Sequence, residues 1–212
     1  MARPHITPVV PTTEQEYQVY HGNLALSHIE AVTELGEMAL MSYYDVMPLG
    51  MGAEKVVYPH KDRSDQVVAF YKDRGDGSEG LSADELKSRY YTIRLMHVLL
   101  PDNIPDAHLV GTNPRRMHLD AVAHNPMDEE TFKRLYEDLR TKAGALGVFL
   151  DPKRSNFVLG DDGKLKYVDD FGLPEDFTPI EVAISKIEDE TMRERAQRYA
   201  SRALGSKKPQ IN

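Results

Sequence analysis

The spacing of apolar residues changes several times along the chain, and each change predicts a different kind of secondary structure. Across residues 13–44, apolar residues recur at helical spacing with an interruption at Gly22, which predicts a broken helical segment. Residues 46–72 instead contain β-branched and aromatic runs between turn signals, which predict three short strands. Residues 107–111 and 116–122 predict two more strands, separated by an Asn-Pro turn.

Three further segments have the pattern of helices. The first begins at a capping box formed by Ser82 and Glu85 and ends at Pro101. The second follows an Asn-Pro pair at Asn125, and the third spans residues 179–204 with alternating charge. The apolar faces of the first two helices comprise Leu86, Tyr90, Ile93, His97 and Leu100, and Phe132, Leu135, Leu139, Ala143 and Leu146.

Residues 157–168 have the pattern of a β-hairpin. Two short apolar runs flank the sequence Gly-Asp-Asp-Gly at residues 160–163, which favours a tight turn. The predicted order is therefore helix, three strands, helix, two strands, helix, hairpin and helix. This order indicates an α+β fold.

Composition narrows the classes of protein that remain. The chain has 212 residues, 41% of them hydrophobic and 28% charged, as in an ordinary globular protein. It has no cysteine, which excludes disulfides, thiol catalysis and cysteine-based zinc sites and is compatible with a cytoplasmic location, the one we predict. No apolar stretch is long enough for a membrane span. A formal charge of −8 argues against indiscriminate nucleic-acid binding, although not against nucleotides.

The strongest candidate chemistry surrounds the predicted hairpin. Asp151 begins the sequence Asp-Pro-Lys-Arg-Ser-Asn, which ends at Asn156, and Asp170 begins Asp-Phe-Gly fourteen residues after Asn156. Carboxylate and amide oxygens are ligands that suit Mg²⁺. This arrangement resembles the catalytic and metal-binding loops of the protein-kinase-like superfamily.

The resemblance implies a role for each of these residues in phosphoryl transfer. Asp151 is the candidate that orients and deprotonates the acceptor hydroxyl, and Lys153 is a candidate contact to the transferred phosphate. Asn156 and Asp170 are the candidate ligands of Mg²⁺. The implied cofactors are therefore ATP and Mg²⁺.

Residues upstream resemble the nucleotide-binding part of the same superfamily. Gly50 and Gly52 resemble a shortened glycine-rich phosphate loop, and Lys72 ends the third predicted strand, where the family places its phosphate-binding lysine. Glu85 is the only glutamate in the next predicted helix, and it is the candidate partner of that lysine. Its position in the first turn also suits a purely capping role.

The chain departs from the family pattern in two places. Phe149 and Leu150 stand where a His and an Arg normally precede the catalytic Asp, and only 40 residues follow Gly172. The resemblance therefore implies a two-lobed kinase-like fold with a mostly β small lobe and an abbreviated helical large lobe. The predicted division is a helical extension over residues 1–44, a small lobe over 45–122 and a large lobe over 123–212.

The sequence thus predicts a compact, divergent, ATP-dependent phosphotransferase. The Asp-Pro-Lys pattern favours a protein Ser or Thr as acceptor, whereas the missing activation segment favours a small molecule, as in the antibiotic and choline kinases that the superfamily includes. One alternative is a catalytically inactive pseudokinase or nucleotide-binding scaffold that acts through protein partners. Another is an α+β interaction protein in which the Asp-Phe-Gly sequence is accidental.

Overall fold

The computed structural model describes residues 48–51, 54–71, 81–112 and 115–205. Predictions for residues 1–44, Gly52 and Lys72 lie outside the described residues. The described residues form an α+β fold, as predicted. They divide into two compact units.

The first unit is built around a five-stranded sheet. Its strands are β1 (Gly50–Met51), β2 (Lys55–Pro59), β3 (Gln66–Tyr71), β4 (Ala107–Thr112) and β5 (Arg115–Asp120). They lie in the order β1-β2-β3-β5-β4, and β1/β2, β2/β3 and β3/β5 pair antiparallel. The predictions of three strands and then two strands are confirmed, with ends that shift by one or two residues.

Strand β3 forms the centre of this sheet because it is paired on both edges. Val68, Ala69, Phe70 and Tyr71 are each no more than 2% exposed. Strand β2 alternates between buried and half-buried positions, so only one of its faces contributes to the core. Strand β3 is buried at almost every position, which is typical of a central strand that is covered on both faces.

Helix α1 (Ala83–Leu99) begins at the predicted capping box. The Glu85 carboxylate accepts a hydrogen bond from the Ser82 backbone N–H at 2.8 Å, and the Ser82 hydroxyl accepts one from the Glu85 N–H at 3.2 Å. These bonds satisfy amides that a helix N-terminus leaves without intrahelical partners. The capping role of Glu85 is therefore confirmed, whereas its role in nucleotide binding stays a prediction.

The second unit contains the remaining helices and the hairpin. Helix α2 (Glu129–Gly144) is followed by strands β6 (Phe157–Leu159) and β7 (Leu165–Tyr167), which pair antiparallel. The predicted turn joins them, with a hydrogen bond from the Gly163 N–H to the Gly160 carbonyl at 3.0 Å. Gly163 has φ of +71°, a conformation that favours glycine. The hairpin prediction is confirmed.

The prediction of one helix over residues 179–204 is wrong, because two helices occupy this segment. They are α3 (Thr178–Ser185) and α4 (Glu190–Gly205). The carboxylate of Asp189 accepts a hydrogen bond from the Met192 N–H at 2.8 Å and so caps the start of α4. An acidic residue preceding a helix is a start signal, and continuous charge alternation concealed it here.

Two arginine–tyrosine contacts pack α4 against α1 within the second unit. The Arg94 guanidinium carbon lies 4.9 Å from the ring centroid of Tyr199, and that of Arg202 lies 5.1 Å from the ring centroid of Tyr91. The Arg202 guanidinium also donates a hydrogen bond to the Tyr91 hydroxyl at 2.8 Å. Arginine stacked on an aromatic face combines a cation–π attraction with buried hydrocarbon area.

The two units do not coincide with the predicted small and large lobes. The first ends at Leu86 and resumes over His108–Ala121, and the second comprises Lys87–Ala107 and the residues from Val122 onward. The prediction placed all of α1 in the small lobe, but the division runs through this helix. Within the described residues, no helix is both long and apolar enough to cross a membrane.

We expect Asn103→Ala to lower the free energy of unfolding by about 2 kcal/mol, because it removes a buried hydrogen bond. The Asn103 side chain is 5% exposed, and its amide donates to the Leu165 carbonyl of β7 at 2.8 Å. Urea denaturation of both proteins measures the difference. Asn125→Ala is the control in a more open setting: its amide donates to the Leu159 carbonyl at 3.2 Å and to the Asp161 carboxylate at 3.0 Å. If both variants lost the same free energy of unfolding, burial would not be the reason that the Asn103 hydrogen bond stabilises the fold.

Candidate functional site

Buried and exposed side chains alternate in the segment that leads to Asp151, and the buried ones anchor it. Gly147, with φ of +72°, turns the chain after α2. Val148 and Leu150 are then 5% and 3% exposed, whereas Phe149 between them is 79% exposed. Leu150 therefore anchors the loop in the core, whereas the Phe149 side chain faces solvent.

Asp151 itself is exposed to solvent at the start of the following turn. One of its carboxylate oxygens accepts a hydrogen bond from the backbone N–H of Lys153 at 3.1 Å. Such local bonds are typical of Asp at a turn, and they hold the carboxylate close to its own backbone. Lys153 is also exposed. Both candidate residues are therefore accessible to a substrate.

Asn156 is the buried member of the set. It ends a 3₁₀ turn at the start of β6, is 8% exposed, and accepts a hydrogen bond on its backbone carbonyl from the Val168 N–H at 2.9 Å. Its side-chain Nδ2 has no hydrogen-bond partner within the part of the chain that the structure describes. A buried amide with an unsatisfied atom is costly, and such groups often occur where a ligand or ion binds.

Asp170 lies three residues beyond β7 and carries an ion pair that the sequence did not predict. One of its carboxylate oxygens is 2.9 Å from Nη1 of Arg89 in α1. The Asp170 and Arg89 side chains are 11% and 26% exposed, so the pair is largely shielded from water. A metal ion at Asp170 would therefore compete with this guanidinium for the carboxylate.

The Tyr167 hydroxyl lies close to the segment that contains Asp170. It donates a hydrogen bond to the backbone carbonyl of Asp170 at 3.4 Å. Burial raises the pKa of this hydroxyl, and the negative charge of Asp169 raises it further. The charges of Asp151 and Asp170 act in the same direction.

The hairpin explains why the two candidate metal ligands lie close together. Asn156 directly precedes β6 and Asp170 closely follows β7, so the antiparallel pairing of Phe157 with Tyr167 places both candidate ligands at the same end of the hairpin. Amide and carboxylate oxygens suit Mg²⁺, which needs few protein ligands. No group of three or more His, Asp or Glu residues suited to a metal occurs within the described ranges. An Asn–Asp pair remains compatible with a metal bound mainly by phosphates and water.

Of the upstream candidates, Gly50 and Glu85 are described and belong to the first unit. Gly50 pairs with Val57 in the sheet, and a Cβ atom built at Gly50 would meet no atom of the described residues within 4 Å. Packing among the described residues therefore does not require glycine at this position. The structure gives no information on Gly52 and Lys72, and their roles in phosphate binding stay predictions.

Two histidines of the first unit are packed together. The His60 and His118 ring centroids are 4.9 Å apart. Burial lowers the pKa of His118 to about 4, and nearby positive charge at His60 and Arg116 acts in the same direction. His118 is therefore neutral at pH 7.

Sequence reasoning missed three residues that organise this region: Arg89, Asn103 and Tyr167. Only Tyr167 left a signal, since it shares with Leu165 the inward-facing side of β7. No protein-family model matches the chain, and a search of curated proteins finds no match.

Proposed function

We propose that this protein is an ATP-dependent phosphotransferase with a two-lobed, kinase-like fold. The observation that carries the proposal is the pairing of Phe157 with Tyr167, which places Asn156 and Asp170 at one end of the hairpin, with Asn156 five residues after the exposed Asp151. The sheet of the first unit and the helices of the second are in keeping with a β-rich and a helical lobe.

In the proposed reaction, the exposed Asp151 carboxylate orients the acceptor hydroxyl and takes its proton. The acceptor oxygen then bonds to the γ-phosphorus of ATP, the bond to the bridging oxygen breaks, and ADP leaves. Asn156 and Asp170 would hold Mg²⁺, which neutralises charge on the phosphates when it is bound. Lys153, two residues after Asp151, would contact the transferred phosphate. The proposed nucleotide-binding residues are Gly50, Gly52, Lys72 and Glu85.

The acceptor is either a protein Ser or Thr or a small-molecule hydroxyl. The exposure of Asp151 and Lys153 suits both, because an open loop admits an extended peptide as readily as a small ligand.

The Arg89–Asp170 ion pair favours a second candidate function. A carboxylate held at 2.9 Å by a guanidinium binds a divalent metal less readily, since the two cations compete for it. The outward position of Phe149 also departs from the active family pattern. Both features suit a pseudokinase or nucleotide-binding scaffold that binds nucleotide without turnover.

Thermal unfolding with and without Mg²⁺–ATP tests the proposal. At a ligand concentration a hundredfold above Kd, we expect the wild-type protein to be stabilised by about 2.7 kcal/mol, because the ligand binds only the folded state. Asp170→Ala should abolish the Mg²⁺-dependent part, each protein being compared with its own ligand-free state. Asp161→Ala, which removes an exposed carboxylate from the hairpin turn, is the matched control and should retain the full effect.

The outcomes separate the candidates. No stabilisation of the wild type would overturn nucleotide binding and with it both candidates. Stabilisation that Asp170→Ala retains would remove Asp170 from the metal site. Stabilisation by Mg²⁺–ATP without ADP formation, measured over a panel of peptide and small-molecule acceptors, would select the scaffold.

A further inference from the structure

The Arg89 side chain reaches the Asp170 carboxylate from the second turn of α1. Its Nη1 atom donates a hydrogen bond to one carboxylate oxygen at 2.9 Å. Both side chains are largely shielded from water, so solvent and salt weaken this charge-assisted bond only in part. The guanidinium therefore lies directly on the carboxylate that we predict to bind Mg²⁺.

The guanidinium of Arg89 can change partners without a change in the fold. Arginine carries its charge at the end of a long, flexible stem. Thr92 and Ile93, in the next turn of α1, are 2% and 6% exposed, so the helix stays packed while this side chain moves. A shielded cation that leaves its carboxylate needs another anion, because a charge without a partner is costly there.

The nucleotide of the proposed function supplies that anion. Mg²⁺ takes few ligands from a protein and stays attached to the phosphates of its nucleotide. Mg²⁺ held by Asp170 would thus bring phosphate oxygens near Arg89, whose planar guanidinium suits them. Every charge would then keep a partner, since the carboxylate would gain a metal ion and the guanidinium a phosphate. Free Mg²⁺ would displace the guanidinium and offer it nothing in return.

We propose that Arg89 is a phosphate-binding residue that exchanges Asp170 for the phosphates of a metal-bound nucleotide. In the nucleotide-free protein it pairs with Asp170 and disfavours the binding of metal alone. When the nucleotide binds, the same guanidinium contacts its phosphates, so the ion pair does not oppose the complete complex. This inference rests on the proposed function and adds a nucleotide-binding residue to it.

The test compares the binding of Mn²⁺ alone with that of the Mn²⁺ complex of a non-hydrolysable ATP analogue. Mn²⁺ accepts the same oxygen ligands as Mg²⁺, and its effect on water-proton relaxation reports binding without turnover. The principal variant is Arg89→Gln, and Arg89→Met, which keeps the apolar stem without the charge, should reproduce it. Arg94→Gln is the matched control. Arg94 also lies on α1, and it pairs with Asp106 at 3.4 Å with similar shielding from water.

For Arg89→Gln we expect the Kd of Mn²⁺ alone to fall about tenfold, because the competing cation is gone. The Kd of the nucleotide complex should stay within about threefold of the wild-type value, since the lost phosphate contact offsets the lost competition. Adding Asp170→Asn to Arg89→Gln should abolish the gain in Mn²⁺ affinity. Arg94→Gln should change neither Kd.

Other results would overturn the exchange in distinguishable ways. Equal tightening of Mn²⁺ alone and of the complex would show that Arg89 only competes with the metal and does not contact phosphate. Weaker binding of both would make Arg89 a structural support, and unchanged binding of Mn²⁺ alone would remove the competition. If the wild type binds no nucleotide complex, the proposed function fails and the phosphate contact with it. The Mn²⁺ titrations alone still decide whether Arg89 competes for Asp170.

Discussion

Asp151→Asn is expected to reduce phosphoryl transfer by about 100- to 10,000-fold and to leave Mg²⁺–ATP affinity essentially unchanged. An amide keeps the size of the carboxylate but cannot accept the acceptor's proton. It can still accept the hydrogen bond from the Lys153 N–H at 3.1 Å, so the turn should persist. The loss should therefore appear in kcat, with little change in the KM for ATP.

Steady-state ADP formation with a functional acceptor measures this effect, and thermal stabilisation by Mg²⁺–ATP verifies that nucleotide binding is intact. Asp161→Asn provides a matched control on another exposed aspartate, ten residues along the chain. Turnover that survives in Asp151→Asn would remove Asp151 from the role of base.

Phe157→Ala is expected to lower the free energy of unfolding by about 4 kcal/mol, the largest effect on stability that we foresee for one substitution. Phe157 is 2% exposed, and its ring contacts those of Phe132, Tyr136 and Tyr167. Removing it loses the buried area and leaves a cavity among rings that cannot collapse freely. Because a domain is stable by only about 5–15 kcal/mol, this loss is a large fraction of the total.

Two comparisons test the cause of this loss. Phe149→Ala removes the same ring from a side chain that is 79% exposed, so we expect a change within about 0.5 kcal/mol. Phe157→Leu keeps most of the volume and should cost about 1 kcal/mol. Chemical denaturation measures all three variants. Similar effects for Phe149→Ala and Phe157→Ala would contradict the packing derived from the structure.

The secondary structure could be predicted well because its signals are local. The capping box at Ser82 and Glu85 and the turn at Gly160–Gly163 involve residues three positions apart, and both occur as predicted. The prediction failed between α3 and α4, where periodic charge masked a helix boundary. The capping residue Asp189 sets the start of α4. Because a cap is a single residue, it is easily hidden within a long periodic pattern.

Local sequence signals predicted only part of the candidate site. Spacing identified Asp151, Asn156 and Asp170, and the hairpin pairing explains why the last two lie at one end of it. The cation beside Asp170 could not be predicted, because Arg89 is 81 positions away in the sequence. The amide that holds β7 likewise comes from 62 positions upstream.

The sequence by itself determined the α+β class, most element boundaries and the residue types available for chemistry. These follow from periodicity, capping and turn formation, which act over a few neighbouring residues. Only the tertiary structure decided that Arg89 pairs with Asp170, that Phe149 faces solvent and that the Asn103 amide bonds to β7. Such contacts depend on how distant elements pack, and a local pattern contains no information about the partner that packing brings close.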